Sequence, residues 1–521
     1  MKSRLLYNIL LLLGIFLISV IVRLPNYGKP LGRSHEWITA HTLITLRVWK
    51  EEGISKHHYA PVYTLPGASN KNIDMLGGVT SPAGNNYYIS YPPFAFIWAN
   101  CFLNFFDLDL VPASLELLNL LIHLLCALGV FGILNQLFRR SIKRDFCVFS
   151  ILGFGLYTFA SGNLWYHMNT YFCDILEQFF FIAGIWLYLR IRSKNVPGTT
   201  LYSVYAICCF LAIYTEWLGV FMCGVIGLNE LVGIRRRKHN AHLFWITAGA
   251  SVFALLLILW QYISIAGFKE LYEALRYKYV LRSGLGSVAQ SDHGYNFANP
   301  ASYGVLKQRL VVNYWAMINL LILISIAFVP LVLYQKKYFI NRREAGLLAL
   351  IGIPVLLHHL VFFNFNVVHH FATLKTFLLL LFLLIILANK LLLFVTSRWP
   401  RYRLAGLAAI SILFGMKCYD SVLIYYQDHN PKDVMLGYQQ MGEEIKNRAV
   451  PGYFVFSSAQ VCPELVYYAN RNIAFADNIE SAQQRMHDEH IKEAYYYDIR
   501  DDKIVHVSHL SEGGRVEEIR P

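Results

Sequence analysis

Eleven apolar stretches, most of them long enough to cross a bilayer, leave this chain few folds to choose from. A bilayer core about 30 Å thick takes roughly 20 apolar residues in a helix. The stretches cover residues 5–22, 112–136, 146–161, 171–189, 200–214, 217–233, 242–264, 313–334, 345–362, 371–395 and 404–425. Of 521 residues, 56% are hydrophobic and only 15% charged, where a soluble domain carries about 25% charged residues. The fold class expected is a polytopic α-helical membrane protein of about eleven transmembrane helices, with a small C-terminal α/β extracytoplasmic domain. The first stretch follows Lys2 and Arg4, and Val20-Ile21-Val22-Arg23 offers no small-residue cleavage site. It reads as an uncleaved first span.

Net charge is +13, but the basic residues fall in short clusters between apolar runs. Such clusters set membrane orientation, so nucleic acid is not an expected partner. Arg139, Arg140, Lys143 and Arg144 form one cluster, Arg190, Arg192 and Lys194 the next, and Arg235, Arg236, Arg237 and Lys238 a third. Lys336, Lys337, Arg342 and Arg343, then Arg398, Arg401 and Arg403, complete the series. Counting spans puts every cluster on the side of Lys2 and Arg4, which is read as cytoplasmic. The C-terminus is then extracytoplasmic, as in a multi-pass protein of the bacterial inner-membrane type. Six of nine cysteines, Cys126, Cys147, Cys173, Cys208, Cys209 and Cys223, lie in apolar runs and read as small buried hydrophobes.

The expected division is a transmembrane part, 1–425, and a terminal domain, 426–521. Outer loop 1 spans 23–111 and outer loop 2 spans 265–312. In loop 1 the pattern predicts a helix from His35 to Glu51. After Pro92-Pro93 an apolar segment, Phe94 to Phe106, is too short to span and suits the membrane interface. The tail predicts helices at Tyr438–Asn447, Pro463–Ala469 and Ile479–His487. Its strands are expected at 453–456, 472–475 and 494–498, a βαβαβ-like order.

Loop 1 is the natural place for chemistry, and its first helix opens Arg33-Ser34-His35-Glu36-Trp37. Glu36 there suits a general base at the membrane surface, or a residue that simply favours a helix N-terminus, with Ser34 as cap. Loop 2 carries Arg276, Lys278 and Arg282, cations that suit a lipid-linked phosphate or ordinary lipid headgroups. Further histidines, His358, His359, His369 and His370, stand with Lys375 in the ninth and tenth stretches. His369 and His370 fall near the outer end, where sugar or headgroup contact, structural hydrogen bonding and metal ligation are all open. A divalent metal is not supported, because adjacent histidines face different ways and no spaced pair accompanies them. No cofactor is called for.

The order of these features resembles the GT-C superfamily of membrane glycosyltransferases, especially the protein O-mannosyltransferase and aminoarabinose-transferase branch. A first span leads to an acidic residue at the head of a long outer loop. Tyr91-Pro92-Pro93-Phe94 and an apolar helix follow, then Asp107-Leu108-Asp109 and a span ending in Arg139-Arg140. Asp174 opens the fourth span as an acidic residue does in that branch, and Leu465 to Arg471 looks like its soluble domain. The resemblance implies an inverting transferase that uses a polyprenyl-phosphate sugar donor at the outer face. The acceptor, whether lipid, polysaccharide or protein, is left open. The family's acidic pair is matched here by His35-Glu36, so the implied base is Glu36, alone or with His35. Tyr91 stands where the aminoarabinose branch has a lysine, and Asp74 is a second candidate acid in the same loop. A lipid or sugar transporter, and a polysaccharide polymerase or ligase, are the competing readings; no internal repeat supports the former.

Overall fold

Apolar runs of this kind become helices because a bilayer offers the backbone no hydrogen-bond partners outside the segment itself. In the computed structural model each of the eleven stretches is helical. The structure describes residues 2–66, 71, 73, 78–138, 148–193, 197–237, 239, 241–286, 294–334 and 339–519. Asp74 and the basic residues Arg139, Arg140, Lys143, Arg144, Lys194, Lys238, Lys336 and Lys337 lie outside them.

The helices in chain order are α1 (Lys2–Arg23), α2 (Trp37–Glu52), α3 (Phe94–Phe105), α4 (Pro112–Phe138), α5 (Val148–Phe159), α6 (Ser161–Asn169) and α7 (Cys173–Ser193). Then come α8 (Thr199–Thr215), α9 (Leu218–Arg235), α10 (His242–Ala266), α11 (Phe268–Ser283), α12 (Pro300–Tyr334), α13 (Arg342–Val361), α14 (Phe363–Val368), α15 (Thr373–Arg398) and α16 (Arg403–Asp428). Among the described residues eight are long and apolar enough to cross a membrane, and a ninth span results if α6 and α7, which meet at 116°, are counted as one. The expected eleven also included α5 and α8, whose 12 and 17 residues make them short. Helix α11 was not foreseen; it begins the second outer loop.

The α6–α7 bend has a polar cause. Asn169 turns its side chain to the Asn26 carbonyl (3.1 Å) and Glu116 (3.3 Å), and Thr170 is extended. Helix α2 is buried nearly all round because it lies between α3 and α4 on one side and the C-terminal domain on the other.

That domain holds α17 (Gly437–Arg448), α18 (Pro463–Ala469) and α19 (Ile479–Asp488) against a five-stranded sheet of order β4-β3-β5-β6-β7. A separate two-stranded ribbon in loop 1 supplies β1 (Val79–Thr80) and β2 (Asn86–Tyr87). Strands β3 (Phe454–Ser457), β4 (Ala474–Phe475) and β5 (Glu493–Arg500) are parallel, as the βαβαβ order requires. Strands β6 (Lys503–Ser511) and β7 (Val516–Ile519) extend the sheet antiparallel and go beyond the expected three.

Loop 1 is fastened to this domain by hydrogen bonds across some four hundred residues of sequence. Leu65 N–H donates to Asn472 Oδ1 (2.8 Å), Leu31 N–H to the Tyr468 hydroxyl (2.7 Å) and Arg47 to Asn470 Oδ1 (2.6 Å). Arg33 reaches the Asn430 carbonyl (2.9 Å), and Trp165 stacks on His429 with ring centres 3.7 Å apart.

Candidate functional site

Where α2, the Tyr88–Tyr91 segment, α11, α14 and the C-terminal domain meet, they enclose a cavity of about 380 Å³. Helix α2 contributes Trp37, His41 and Ile44, spaced to share one face. Helix α11 contributes Lys278, Leu281 and Arg282 by the same spacing. Arg276 is two residues before Lys278, so it falls on another face and is exposed. Tyr63, Tyr88, Tyr91, Phe172, Phe365 and Phe371 make the walls aromatic. The loop after β3 and the start of α18 close one side with Gln460, Val461, Cys462 and Pro463.

Arg282 is the most distinctive group in the wall. Its Nη1 donates to the Ser90 carbonyl at 3.0 Å, and its guanidinium lies 4.4 Å from the Tyr91 ring centre and 5.0 Å from that of Phe365. Among the described residues no carboxylate pairs with it. Aromatic faces attract a guanidinium, and the buried Asp174 and Glu216 act on its charge from a greater distance.

The opening of α2 is built differently. His35 has φ +64°, a left-handed backbone uncommon for a residue with a side chain. This turn sends Glu36 back along the chain, where Oε2 accepts from the Gly32 N–H (2.9 Å) and the Arg33 N–H (2.7 Å). Glu36 is 2% exposed and does not line the cavity; its neighbour Trp37 does. Burial raises its carboxyl to about 7, against the opposing pull of those two amides. Burial also lowers His35 to about 3, so it is neutral near pH 7. The His35 ring packs on His369 (5.8 Å), His370 (5.3 Å) and Phe371 (5.2 Å), and its Nε2 faces the His370 N–H at 3.4 Å. His369 lines the cavity, with His35 and His370 behind it.

Asp174 lies in the first turn of α7, just beyond the bend, and is buried. It is paired with Lys375 of α15, which also approaches Glu216 at 3.6 Å; Glu216 in turn holds His358 Nε2 at 3.0 Å. Lys375 is 5.4 Å from the centre of the Phe365 ring, so this network backs the cavity wall. The structure therefore gathers Tyr91, Lys278, Arg282 and His369 at one cavity, with His35, Glu36, His370 and Asp174 around it and Arg276 apart.

Sequence reasoning missed His41, Tyr63, Tyr88 and the C-terminal wall. His41 was visible as the residue one turn after Trp37, and Tyr87-Tyr88 with Tyr91 as an aromatic cluster. Nothing in the sequence pointed to Gln460 or Cys462. Among the described residues no three His, Cys, Asp or Glu side chains gather as metal ligands.

No family model and no curated protein matches the chain. Solved structures do. ArnT from Cupriavidus metallidurans bound to undecaprenyl phosphate superposes with TM-score 0.56 at 12% identity, covering 97% of both chains. The apo state of that protein gives 0.52 at 13%, covering 94% of this chain and 93% of its own. The archaeal oligosaccharyltransferase AglB from Archaeoglobus fulgidus, in complex with an inhibitory peptide and a dolichol-phosphate, gives 0.56 at 13%, covering 94% of this chain and 69% of its own. The resemblance noted in the sequence thus extends to three dimensions: the chain has the GT-C glycosyltransferase fold.

Proposed function

We propose that this chain is a glycosyltransferase that moves a sugar from a polyprenyl-phosphate donor to an acceptor hydroxyl at the extracytoplasmic membrane face. One observation carries the reading: Arg282, with Lys278 one turn earlier, stands in an aromatic cavity whose described lining includes no aspartate or glutamate. A phosphate is the anion that such a pair fits. The GT-C fold supports it, since two structures of that fold hold undecaprenyl phosphate and dolichol-phosphate.

The acceptor oxygen attacks the anomeric carbon, and the bond from that carbon to the phosphate oxygen breaks. A single displacement inverts the configuration. Polyprenyl phosphate leaves with its charge held by Arg282 and Lys278, and the acceptor proton passes to Glu36. Both amides bond Glu36 Oε2, so Oε1 is the oxygen without a partner among the described residues. Neutral His35, against His369 in the wall, positions this end of the site. Asp174 acts from behind, through Lys375, and Tyr91 sets the position of Arg282.

Arg282→Ala tests the reading. Losing one charge-assisted contact should weaken polyprenyl-phosphate binding by about 1.5–3 kcal/mol, whereas Arg276→Ala, on the far face of α11, should leave it unchanged. Equal affinity of the Arg282 variant and the parent chain would remove the phosphate from this cavity.

A further inference from the structure

Ring contacts give the cavity a direction. The Arg282 guanidinium lies 4.4 Å from the Tyr91 ring centre, and the row continues from there. Ring centres of Tyr91 and Tyr88 are 6.1 Å apart, those of Tyr88 and Tyr63 5.3 Å, and those of Tyr63 and His41 4.0 Å. All four rings line the cavity. One end of the row is the cation assigned to the phosphate; the other is a histidine stacked on a tyrosine, their planes 28° apart. That second end lies beside the C-terminal domain, because α2 packs on α18, whose Pro463 and Val466 also line the cavity.

The same end has hydrogen-bonding capacity to spare. His41 Nδ1 and the Tyr63 hydroxyl oxygen are buried and have no hydrogen-bond partner among the described residues. Buried polar atoms left unmet are costly, so the pair points to a missing ligand. Burial, with Lys278 beside it, lowers His41 to about 3. Its ring is therefore neutral near pH 7, with one nitrogen that donates and one that accepts, and a phenol hydroxyl also does both. Two such groups on a flat aromatic surface suit a ligand with hydroxyls around its edge and an apolar face. A sugar ring has that form.

Building on the glycosyl-transfer reading, we infer that the donor's sugar ring lies on the Tyr63–His41 stack, its hydroxyls bonded to His41 and the Tyr63 hydroxyl, while Arg282 keeps the phosphate. Sugar and phosphate are joined covalently, so once Arg282 holds the phosphate the ring must fall within reach in the same cavity. The His369 side, toward His35 and Glu36, is left for the acceptor. His41 and Tyr63 then recognise the sugar without taking part in the bond that breaks.

The test measures binding to the full chain in lipid nanodiscs. The probes are polyprenyl phosphate alone and the same lipid carrying glucose, mannose, N-acetylglucosamine or arabinose. In the parent chain at least one sugar should raise affinity above that of the bare lipid. Tyr63→Phe removes a single oxygen, and His41→Phe keeps a ring to stack. Each should cut the sugar's gain roughly two- to tenfold, the loss of one hydrogen bond, and leave the bare lipid bound as before. Arg282→Ala should do the reverse, weakening bare and sugar-bearing lipid alike and keeping their ratio. A gain undiminished in both the Tyr63 and His41 variants overturns the inference, as does a loss shared equally by the bare lipid. If no sugar improves on the bare lipid in the parent chain, the inference falls while phosphate binding stands. If polyprenyl phosphate alone fails to bind, it falls together with the transferase reading.

Discussion

At Glu36, burial and two backbone amides act in opposite directions on one carboxyl group, and burial prevails, setting its proton affinity at about 7. A general base works best with a pKa close to the working pH. Glu36 must be ionised to accept a proton, so turnover should rise as pH increases through about 7 and level off above it. Glu36→Gln keeps the acceptor oxygen for the Gly32 and Arg33 amides but cannot take a proton. Turnover per folded molecule should then drop roughly 100- to 10,000-fold, and the remaining activity should lose its acid limb. A variant with parental turnover would exclude Glu36 from the reaction. The order of residues made Glu36 visible as a candidate, but not its burial. Burial depends on the C-terminal domain folding over it, and on the left-handed His35 that turns the carboxylate inward. Equally, Arg276, Lys278 and Arg282 look alike in sequence; only the helical phase of α11 separates the last two from the first.

Among the elements, the long spans were the most legible, because twenty apolar residues in a row have one physical solution in lipid. The bend between α6 and α7 was not, since it contains no proline and arises where the Asn169 side chain finds partners at Asn26, just after α1, and at Glu116 on α4. Strands β6 and β7 were missed for a related reason. The hairpin that leads from β5 into β6 turns through Asp501 and Asp502, both left-handed, rather than the Asn-Gly or Asp-Gly pair that announces such turns. The bend places Asp174 beside α15, and there the helices are joined by charge. Removing Lys375 would strand Asp174 and Glu216 without their cation. Breaking a buried ion pair from one side costs about 3–5 kcal/mol, so Lys375→Ala should lower the melting temperature of the purified protein sharply. Lys375→Met combined with Asp174→Asn should recover much of the loss. If the single variant melts like the parent chain, the network does not hold these helices together.

Taken whole, the molecule is a helical body on which the terminal domain is seated through loop 1, and the contact carries a second raised carboxyl. Burial lifts Glu464 to about 7. A group whose folded pKa is raised stabilises the fold fully below its unfolded value near 4.5. That contribution fades as pH climbs through about 7. Glu464→Gln should therefore match the parent chain's melting temperature near pH 4.5 and exceed it near pH 8; identical profiles at both would show that the group is not buried in solution. Orientation is a separate expectation. Reporter fusions after Lys194, Arg343 and Arg403 should report the cytoplasm, and one after Gly437 the outside; a cytoplasmic tail would move the cavity away from an extracytoplasmic donor. The domain itself was legible in the sequence as an α/β tail, yet its place as a wall of the cavity was not, because pairings over such distances leave no local pattern. Those pairings also bear on how the protein is made. Leu65 and Asn472 are 407 residues apart, an interval that takes a ribosome roughly 20 to 80 s at ordinary elongation rates. Throughout that time loop 1 is without its partner, its tyrosines and buried acid open to their surroundings. The cavity comes into being only with the last eighth of the chain, so a nascent or truncated protein would be inserted and helical and still unable to hold a substrate.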